Sequence, residues 1–356
     1  MLKSTVMTNS LIKSGWESPS NIALIKYWGK FGKQMPHNPS VSFTLSAAAT
    51  RTFVDISEGN NGDPIDLNFV FNGSKNEKFA SRINKFLNSI SDEYFPFVKK
   101  YKLNIDTSNS FPHSSGIASS ASGMSALALC LCDIENLLNG KQLYDNDFYR
   151  KASVISRLGS GSACRSVFPE IAVWGRHENI SGSSNEYAIP ANTELHPVFK
   201  SFHDDILIIS AQEKSVSSTA GHNLMENNPF AKVRYNQANL RMEMMMKALK
   251  SGDISAFGKI TEDEALTLHA LMMCSDPSYI LLKEGSLTVI NKVKAFRDQT
   301  TIPLYFTLDA GPNVHLLYPD EYENQVNIFI QEELKPFCHE GKIIRDKVGP
   351  GPVKIW

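Results

Sequence analysis

Residues 111–123 read FPHSSGIASSASG, a loop of small and hydroxyl-bearing residues that runs directly into an apolar pattern. Apolar side chains follow at spacings near three and four, up to an Asn-Gly pair at 139–140, which predicts a helix that begins at the serines. Backbone N–H groups, hydroxyls and the positive end of a helix then meet at one point and suit a phosphate chain. No Lys stands where a Walker A motif needs one. Because Gly/Ser loops before helices are common, a serine-rich capping turn on a buried helix is the alternative.

The segments on either side of this loop predict an α+β protein. Upstream, the patterns predict antiparallel strands at 21–27, 41–45 and 52–56 and a helix at 77–88. Downstream, they predict helices at 147–158, 231–250, 254–273 and 277–298, strands at 171–174 and 205–211, and a hairpin of 304–308 with 314–318. Strands come first and do not alternate with helices, so a Rossmann fold is not expected. The polar segment 178–197 divides the chain into predicted domains 1–190 and 191–356.

The composition is that of an ordinary globular protein of 356 residues, 42% of them hydrophobic and 21% charged. A net charge of -1 gives no general attraction to nucleic acid or to an acidic membrane, so we expect neither as a partner. The five cysteines are an odd and scattered set, which predicts reduced thiols and a cytoplasmic location. The N-terminus lacks the apolar region of a signal peptide, and we expect no membrane-spanning helix.

Lys26 follows four apolar residues in the segment NIALIKYWGK, residues 21–30. A desolvated ammonium is costly unless an anion compensates it, so Lys26 is expected to have an anionic partner. The alternative is that the strand ends here and that Lys26 and Lys30 reach solvent.

Two later segments also carry side chains suited to chemistry. Ser160, Ser162 and Arg165 in RLGSGSACRS offer hydroxyls and a guanidinium to a carboxylate or phosphate, or form only a capping turn beside a surface Arg. Asp309 in FTLDAGPN sits where an apolar strand meets a turn. Its carboxylate can position a hydroxyl during phosphoryl transfer, or it can only close an Asx turn.

In this order, NIALIKYWGK, FPHSSGIASSASG, RLGSGSACRS and FTLDAGPN resemble segments of the mevalonate diphosphate decarboxylases of the GHMP-kinase superfamily, over roughly residues 20–318. The resemblance implies the GHMP-kinase fold, two α+β domains with the active site in the cleft between them. It implies an ATP-dependent decarboxylation of mevalonate 5-diphosphate to isopentenyl diphosphate, CO2, ADP and phosphate, by way of 3-hydroxyl phosphorylation, in isoprenoid biosynthesis. ATP and Mg²⁺ are the implied cofactors, and a homodimer is the expected assembly.

The resemblance also implies roles for single residues. The implied catalytic residues are Asp309 and Lys26, at the tertiary hydroxyl, and Arg165, on the substrate carboxylate. The residues implied to face the substrate diphosphate are Tyr27, Lys30, Ser160, Ser162 and Ser218. Those implied to hold the ATP phosphates are Ser115, Gly116, Ser119 and Ser120. No side chain is assigned to the metal.

One departure from the family pattern bears on the substrate. Many family members carry an Arg after the paired serines of the VSS segment, where this chain has Thr219. Since one cation for the terminal phosphate is missing, mevalonate 5-phosphate is an alternative substrate, and a GHMP small-molecule kinase without decarboxylation is a second alternative. The joint presence of Lys26 and Asp309 favours decarboxylation.

Overall fold

The computed structural model describes residues 12–59, 64–111, 119–191, 195–212, 216 and 218–356. The strands of these residues form two larger sheets and one small hairpin. In chain order they are β1 (Ile12–Ile25), β2 (Lys30–Phe31), β3 (Met35–Pro36), β4 (Ser40–Glu58), β5 (Leu67–Phe71), β6 (Ser74–Lys75), β7 (Tyr101–Asn109), β8 (Ile171–Trp174), β9 (Ala188–Pro190), β10 (His203–Leu207), β11 (Tyr305–Thr307), β12 (Val314–Tyr318), β13 (Ile343–Ile344) and β14 (Val353–Lys354).

The helices pack against both larger sheets. In chain order they are α1 (Glu77–Ser91), α2 (Ser119–Leu138), α3 (Asn146–Gly159), α4 (Ser218–Asn223), α5 (Ala231–Ser251), α6 (Ile254–Met273), α7 (Glu284–Thr300) and α8 (Glu323–Phe329). A 3-10 helix, Gly161–Val167, joins α3 to β8. The helices predicted at 77–88, 147–158, 231–250 and 254–273 are confirmed as α1, α3, α5 and α6.

The first sheet has the strand order β14-β1-β4-β7-β5-β6, and β8 and β9 continue it from β4. The predicted strands 41–45 and 52–56 both lie within the single strand β4, so the prediction of two separate strands was wrong. The exposed residues Ser46 and Ala47 interrupt the apolar pattern between them. The backbone N–H groups of Ser46 and Ala47 donate to the Asp346 carboxylate, each at 2.7 Å, and this contact with the C-terminal segment is not visible in local sequence.

The helix predicted after the Ser/Gly loop is α2, which packs against β1, β4 and α3 in the core of the first half. Gly140 follows α2 in the left-handed conformation, as the Asn-Gly stop predicts. By length and a mean hydropathy of 1.3, α2 could cross a membrane, but 72% of its apolar window is buried inside the protein. The low charge of α2 is therefore explained by its position as a core helix.

The second half contains the sheet β11-β12-β10-β13, with α7 and α8 against it. The predicted hairpin is confirmed, since β11 and β12 pair antiparallel on either side of Asp309. The helix predicted at 277–298 begins only at Glu284, where the backbone N–H of Lys283 donates to the Ser286 hydroxyl. The strand predicted at 205–211 ends at Leu207, because the next residues turn instead of pairing with β12.

The two halves share a hydrophobic core between the first sheet and the helices α5 and α6. Phe43 of β4 lies with Phe202 and Phe257 at ring-centroid distances of 6.2 and 5.7 Å. The C-terminal strand β14 also returns to pair with β1 in the first sheet. The division into domains 1–190 and 191–356 stays a prediction.

Candidate active site

A cavity of about 230 Å³ opens where β1 ends, beside the 3-10 helix, α4 and the β11–β12 hairpin. Side chains from both halves of the chain line it. The predicted site residues among them are Lys26, Tyr27, Lys30, Ser120, Ser160, Ser162, Arg165 and Asp309. Residues that lie nearly 300 positions apart in sequence therefore line one cavity.

Lys26 and Asp309 form the central contact of this cavity. Lys26 Nζ donates to Asp309 Oδ1 at 3.0 Å, which confirms the expectation that Lys26 has an anionic partner. The Lys26 side chain is 2% exposed and that of Asp309 is 27% exposed, so the carboxylate is the partner that remains open to the cavity. Burial lowers the pKa of Lys26, and the charge of Asp309 opposes this effect.

The backbone of Lys26 is held by a buried ion cluster on α5 and α6. Its N–H donates to Glu264 Oε2 at 2.8 Å, and its carbonyl accepts from Arg234 at 3.1 Å and from Asn38 at 3.0 Å. Glu264 is itself paired with Arg234 and with Arg241, and these guanidiniums hold the pKa of Glu264 below its usual value against the effect of burial. The cluster fixes the peptide units on both sides of Lys26.

Arg165 extends from the 3-10 helix into the wall of the first sheet. Its guanidinium donates to the hydroxyls of Ser42 and Ser40 at 2.9 and 2.6 Å and to Asn21 Oδ1 at 3.2 Å. Within the described part of the chain no carboxylate forms a salt bridge with it, and burial lowers its pKa. A buried guanidinium held by neutral oxygens is suited to bind an anion from the cavity, such as a carboxylate.

Tyr27 lies beside Lys30 in the wall of the cavity. Among the described residues its hydroxyl is buried without a hydrogen-bond partner, and burial raises its pKa. Gly161 lets this hydroxyl approach closely, because a Cβ built there would lie 2.8 Å from the Tyr27 oxygen. Among the described residues, the Tyr27 hydroxyl is therefore an unsatisfied hydrogen-bonding group in the wall of the cavity.

A second cavity of about 110 Å³ adjoins the first and shares Ser120 and Arg82 with it. Ser119, Ser120 and Gly123 at the start of α2 line one side. The other sides are mainly apolar and come from β5, α1 and β7, with Phe69, Phe71, Phe79, Ile83 and Ile105. An apolar space next to a helix N-terminus is suited to a flat heterocycle whose phosphates extend into the larger cavity.

Comparison with known proteins gives the family. Residues 18–188 match the diphosphomevalonate decarboxylase-like N-terminal domain, and residues 205–352 match the mevalonate 5-diphosphate decarboxylase C-terminal domain. The diphosphomevalonate decarboxylase of Saccharomyces cerevisiae is 30% identical over 88% of this chain and 79% of its own length. The chain belongs to the diphosphomevalonate decarboxylase family. The enzyme of the same name from Candida albicans is 28% identical over 94% of this chain and 96% of its own length.

Solved structures of this decarboxylase family have the same fold. Mevalonate diphosphate decarboxylase from Staphylococcus aureus superposes with a TM-score of 0.81 at 27% identity, over 97% of this chain and 98% of that chain. The Enterococcus faecalis enzyme superposes with a TM-score of 0.79 at 28% identity, over 97% of this chain and 99% of that chain. The predicted α+β class and GHMP-kinase fold are confirmed.

Of three further residues to which the decarboxylase resemblance gives roles, the structure describes one. Ser115 and Gly116 lie outside the described residues. Ser218 is the first residue of α4, and its neighbour Thr219 lines the larger cavity. Ser120 Oγ lies 3.2 Å from Ser160 Oγ, which joins the predicted ATP loop to the predicted diphosphate segment.

Several residues of this decarboxylase site were not predicted from the sequence. Arg82 appears in α1 as an ordinary charge of an amphipathic helix, yet it lines both cavities. His269 Nε2 lies 3.2 Å from the Asp309 carbonyl oxygen, and Glu264 holds Lys26 from the same helix, α6. The only sequence signal for Glu264 and His269 was that polar residues interrupt the buried face of a helical pattern.

Proposed function

We propose that this chain catalyses the ATP-dependent decarboxylation of mevalonate 5-diphosphate to isopentenyl diphosphate, CO2, ADP and phosphate. The observation that carries the proposal is the 3.0 Å contact of Lys26 with a partly open Asp309 in a cavity that also contains Arg165 and hydroxyl donors. The names of the relatives support it. The Enterococcus faecalis structure concerns mevalonate diphosphate mediated ATP binding, and the structure of MDDEF contains MVAPP, AMPPCP and magnesium.

The substrate presents three groups to this site: a 3-hydroxyl, a carboxylate and a 5-diphosphate. Arg165 binds the carboxylate, because it is a buried cation that lines the larger cavity and no carboxylate of the described residues forms a salt bridge with it. Asp309 faces the 3-hydroxyl and accepts its proton as the γ-phosphoryl group is transferred to the oxygen. Lys26 keeps Asp309 ionised before transfer and compensates the charge on the transferred group.

Phosphorylation turns the tertiary hydroxyl into a good leaving group. The C3–O bond then breaks and phosphate departs, while positive charge develops at C3. The C1–C2 bond breaks next, CO2 leaves, and its electron pair forms the C2–C3 double bond. By holding the carboxylate at a fixed place, Arg165 orients the C1–C2 bond for this elimination.

The substrate diphosphate occupies one end of the larger cavity, and the ATP phosphates occupy the end that adjoins the smaller cavity. Tyr27, Lys30, Ser160 and Ser162 donate to the diphosphate. Ser218, at the start of α4, also binds it. Ser119 and Ser120, with Ser115 and Gly116 of the preceding loop, bind the ATP phosphates, and the smaller apolar cavity takes the adenine. Mg²⁺, when bound, neutralises charge on the phosphates.

One assay tests the reaction and its alternatives. The purified chain is incubated with ATP and mevalonate, its 5-phosphate or its 5-diphosphate, and CO2 and ADP are measured together. We expect equal amounts of both products with the 5-diphosphate. ADP without CO2 would identify a kinase, and activity restricted to the 5-phosphate would identify the monophosphate enzyme that Thr219 raises as an alternative.

We also propose that the chain is a cytoplasmic homodimer. The cysteines are free thiols in the described residues, which fits a reducing compartment. Exposed apolar side chains on α5 and at its N-cap support an interface with a second copy, namely Phe230, Val233, Leu240 and Met244. Light scattering on the purified protein would give twice the mass of one chain, and Leu240→Lys would lower it.

A further inference from the structure

His222 lies in α4 and lines the larger cavity, in the part that also contains Lys30 and Tyr27. The residue is buried, and its ring packs between two aromatic side chains. The ring centroids lie 4.2 Å from Tyr27 and 4.6 Å from Trp28. This packing fixes the plane of the imidazole.

The hydrogen bond to Nδ1 determines which nitrogen carries the proton. The backbone N–H of Gly29 donates to His222 Nδ1 at 3.0 Å, at a turn where Gly29 has a φ of +96°. Because a backbone N–H can only donate, Nδ1 is unprotonated, and the neutral ring carries its proton on Nε2. Burial and the positive charge of Lys30 lower the pKa of His222 to about 3, so the ring remains neutral.

Among the described residues, the Nε2–H group of His222 has no hydrogen-bond partner. In the part of the chain that the structure describes, the hydrogen bond of the ring is at Nδ1, and no hydrogen bond is made by Nε2. Nε2 is also not one of the fully buried side-chain atoms that lack a partner. Because His222 lines the cavity, its unpaired Nε2–H can donate a hydrogen bond to an acceptor atom of a bound ligand.

The neighbouring groups indicate what that acceptor is. Lys30 supplies a positive charge, the Tyr27 hydroxyl is unpaired among the described residues, and Thr219 lies three residues before His222 on the same face of α4. All of them can donate a hydrogen bond, and the acidic residue of the cavity, Asp309, is already paired with Lys26. Such a cluster is suited to a phosphate group with several acceptor oxygens.

We propose that His222 is a substrate-binding residue whose neutral Nε2–H donates to a phosphate oxygen of the substrate diphosphate. This rests on the proposed function, since it assigns a contact to that substrate. A neutral donor adds direction and specificity to the contact and leaves the net charge of the cavity unchanged.

Two variants at this position separate the two ring nitrogens. In His222→Asn the side-chain oxygen can still accept from Gly29 N–H, but the ligand donor at the Nε2 position is lost. In His222→Gln the amide nitrogen reaches the Nε2 position, but the acceptor for Gly29 is lost. The Kd for mevalonate 5-diphosphate is measured by calorimetry without ATP, and kcat is measured at saturation.

We expect His222→Asn to weaken binding by about tenfold or more and His222→Gln by less than about threefold, with kcat nearly unchanged in both. Equal binding by His222→Asn and the parent protein, or an equal loss in both variants, would overturn the proposal.

A measurement on the parent protein does not depend on folding of the variants. The ¹⁵N resonance of His222 Nε2 should show a protonated nitrogen and shift on addition of mevalonate 5-diphosphate, and no shift would refute the contact. Turnover by the parent chain separately tests the proposed function.

Discussion

At the scale of single residues, the clearest prediction concerns Asp309. An amide cannot accept the 3-hydroxyl proton, so Asp309→Asn should lower kcat by about 10²–10⁴-fold. ATP affinity should not change, because the smaller cavity proposed for the nucleotide does not contain Asp309. The measurements are CO2 and ADP release with saturating substrates, and equilibrium binding of ATP.

A matched control for this variant is Asp147→Asn, which changes an acid exposed on α3. We expect the control to keep full turnover. Turnover of Asp309→Asn within a few-fold of the parent enzyme would reject the proposed role of the carboxylate.

A second prediction at this scale concerns pH. Burial lowers the pKa of Lys26, and Asp309 raises it by favouring the charged ammonium. Without the negative neighbour, the ammonium loses its proton at lower pH. The alkaline limb of kcat/KM, measured between about pH 6 and about pH 10, should therefore move to lower pH in Asp309→Asn than in the parent enzyme. If the alkaline limb of kcat/KM stays at the same pH or moves to higher pH in Asp309→Asn, the reaction does not require protonated Lys26.

The apolar run before Lys26 predicted an anionic partner for this residue, because an unpaired buried charge is costly, but only the family resemblance placed Asp309 beside it. The sequence did not predict how Lys26 is held. Glu264 lies in the middle of α6 and Arg234 in the first turn of α5, on helices where charged residues are usually solvated, and both are buried because α5 and α6 pack against β1. That packing joins residues far apart in sequence, so the local pattern of α5 and α6 does not identify their partner.

At the scale of elements, the start of α2 gives a test of the nucleotide site. A Cβ built on Gly123 has no atom within 4 Å, and Gly123 lines the smaller cavity. Gly123→Ala should therefore keep the KM for ATP and stabilise the helix by roughly 0.5–1 kcal/mol. Gly123→Leu should extend into the cavity and raise the KM for ATP by about tenfold or more, because an overfilled space costs about 1–3 kcal/mol.

The KM for mevalonate 5-diphosphate should be unaffected in both Gly123 variants, since Gly123 does not line the larger cavity. Steady-state kinetics give the two KM values, and thermal unfolding gives the change in stability. If Gly123→Leu binds ATP normally, the adenine does not occupy the smaller cavity.

Among the elements, periodic helices were predicted well and strand limits poorly. The pattern gave 254–273 for α6, which is the observed helix, because Asp253 caps it and its apolar positions recur regularly. The single strand β4 was predicted as two, because its apolar pattern is interrupted at the exposed residues Ser46 and Ala47. The backbone there is held by Asp346, about 300 residues away in sequence. Interactions of that range decide where strands end.

At the scale of the whole molecule, the sequence predicted two α+β halves but not the core between them. Phe257 of α6 lies at ring-centroid distances of 4.8 Å from Phe199 and 5.7 Å from Phe43, so the second half packs directly on the first sheet. The return of β14 to β1 adds a second connection. We therefore expect both halves to unfold together.

Phe257→Ala tests this coupling. The lost packing should lower the free energy of unfolding by about 3–5 kcal/mol, whereas Phe31→Ala, at an exposed position, should change it by less than about 0.5 kcal/mol. Unfolding in urea is followed by tryptophan fluorescence, to which Trp16 and Trp174 of the first sheet contribute beside Trp28 and Trp356, and by far-UV circular dichroism, to which α5, α6 and α7 contribute strongly. In the parent protein the two transitions should coincide, because a cooperative unit shows one midpoint by every probe. Separate midpoints in the parent would mean that the cleft joins two independent domains, whereas separation only in Phe257→Ala would mean that this aromatic contact is what couples them.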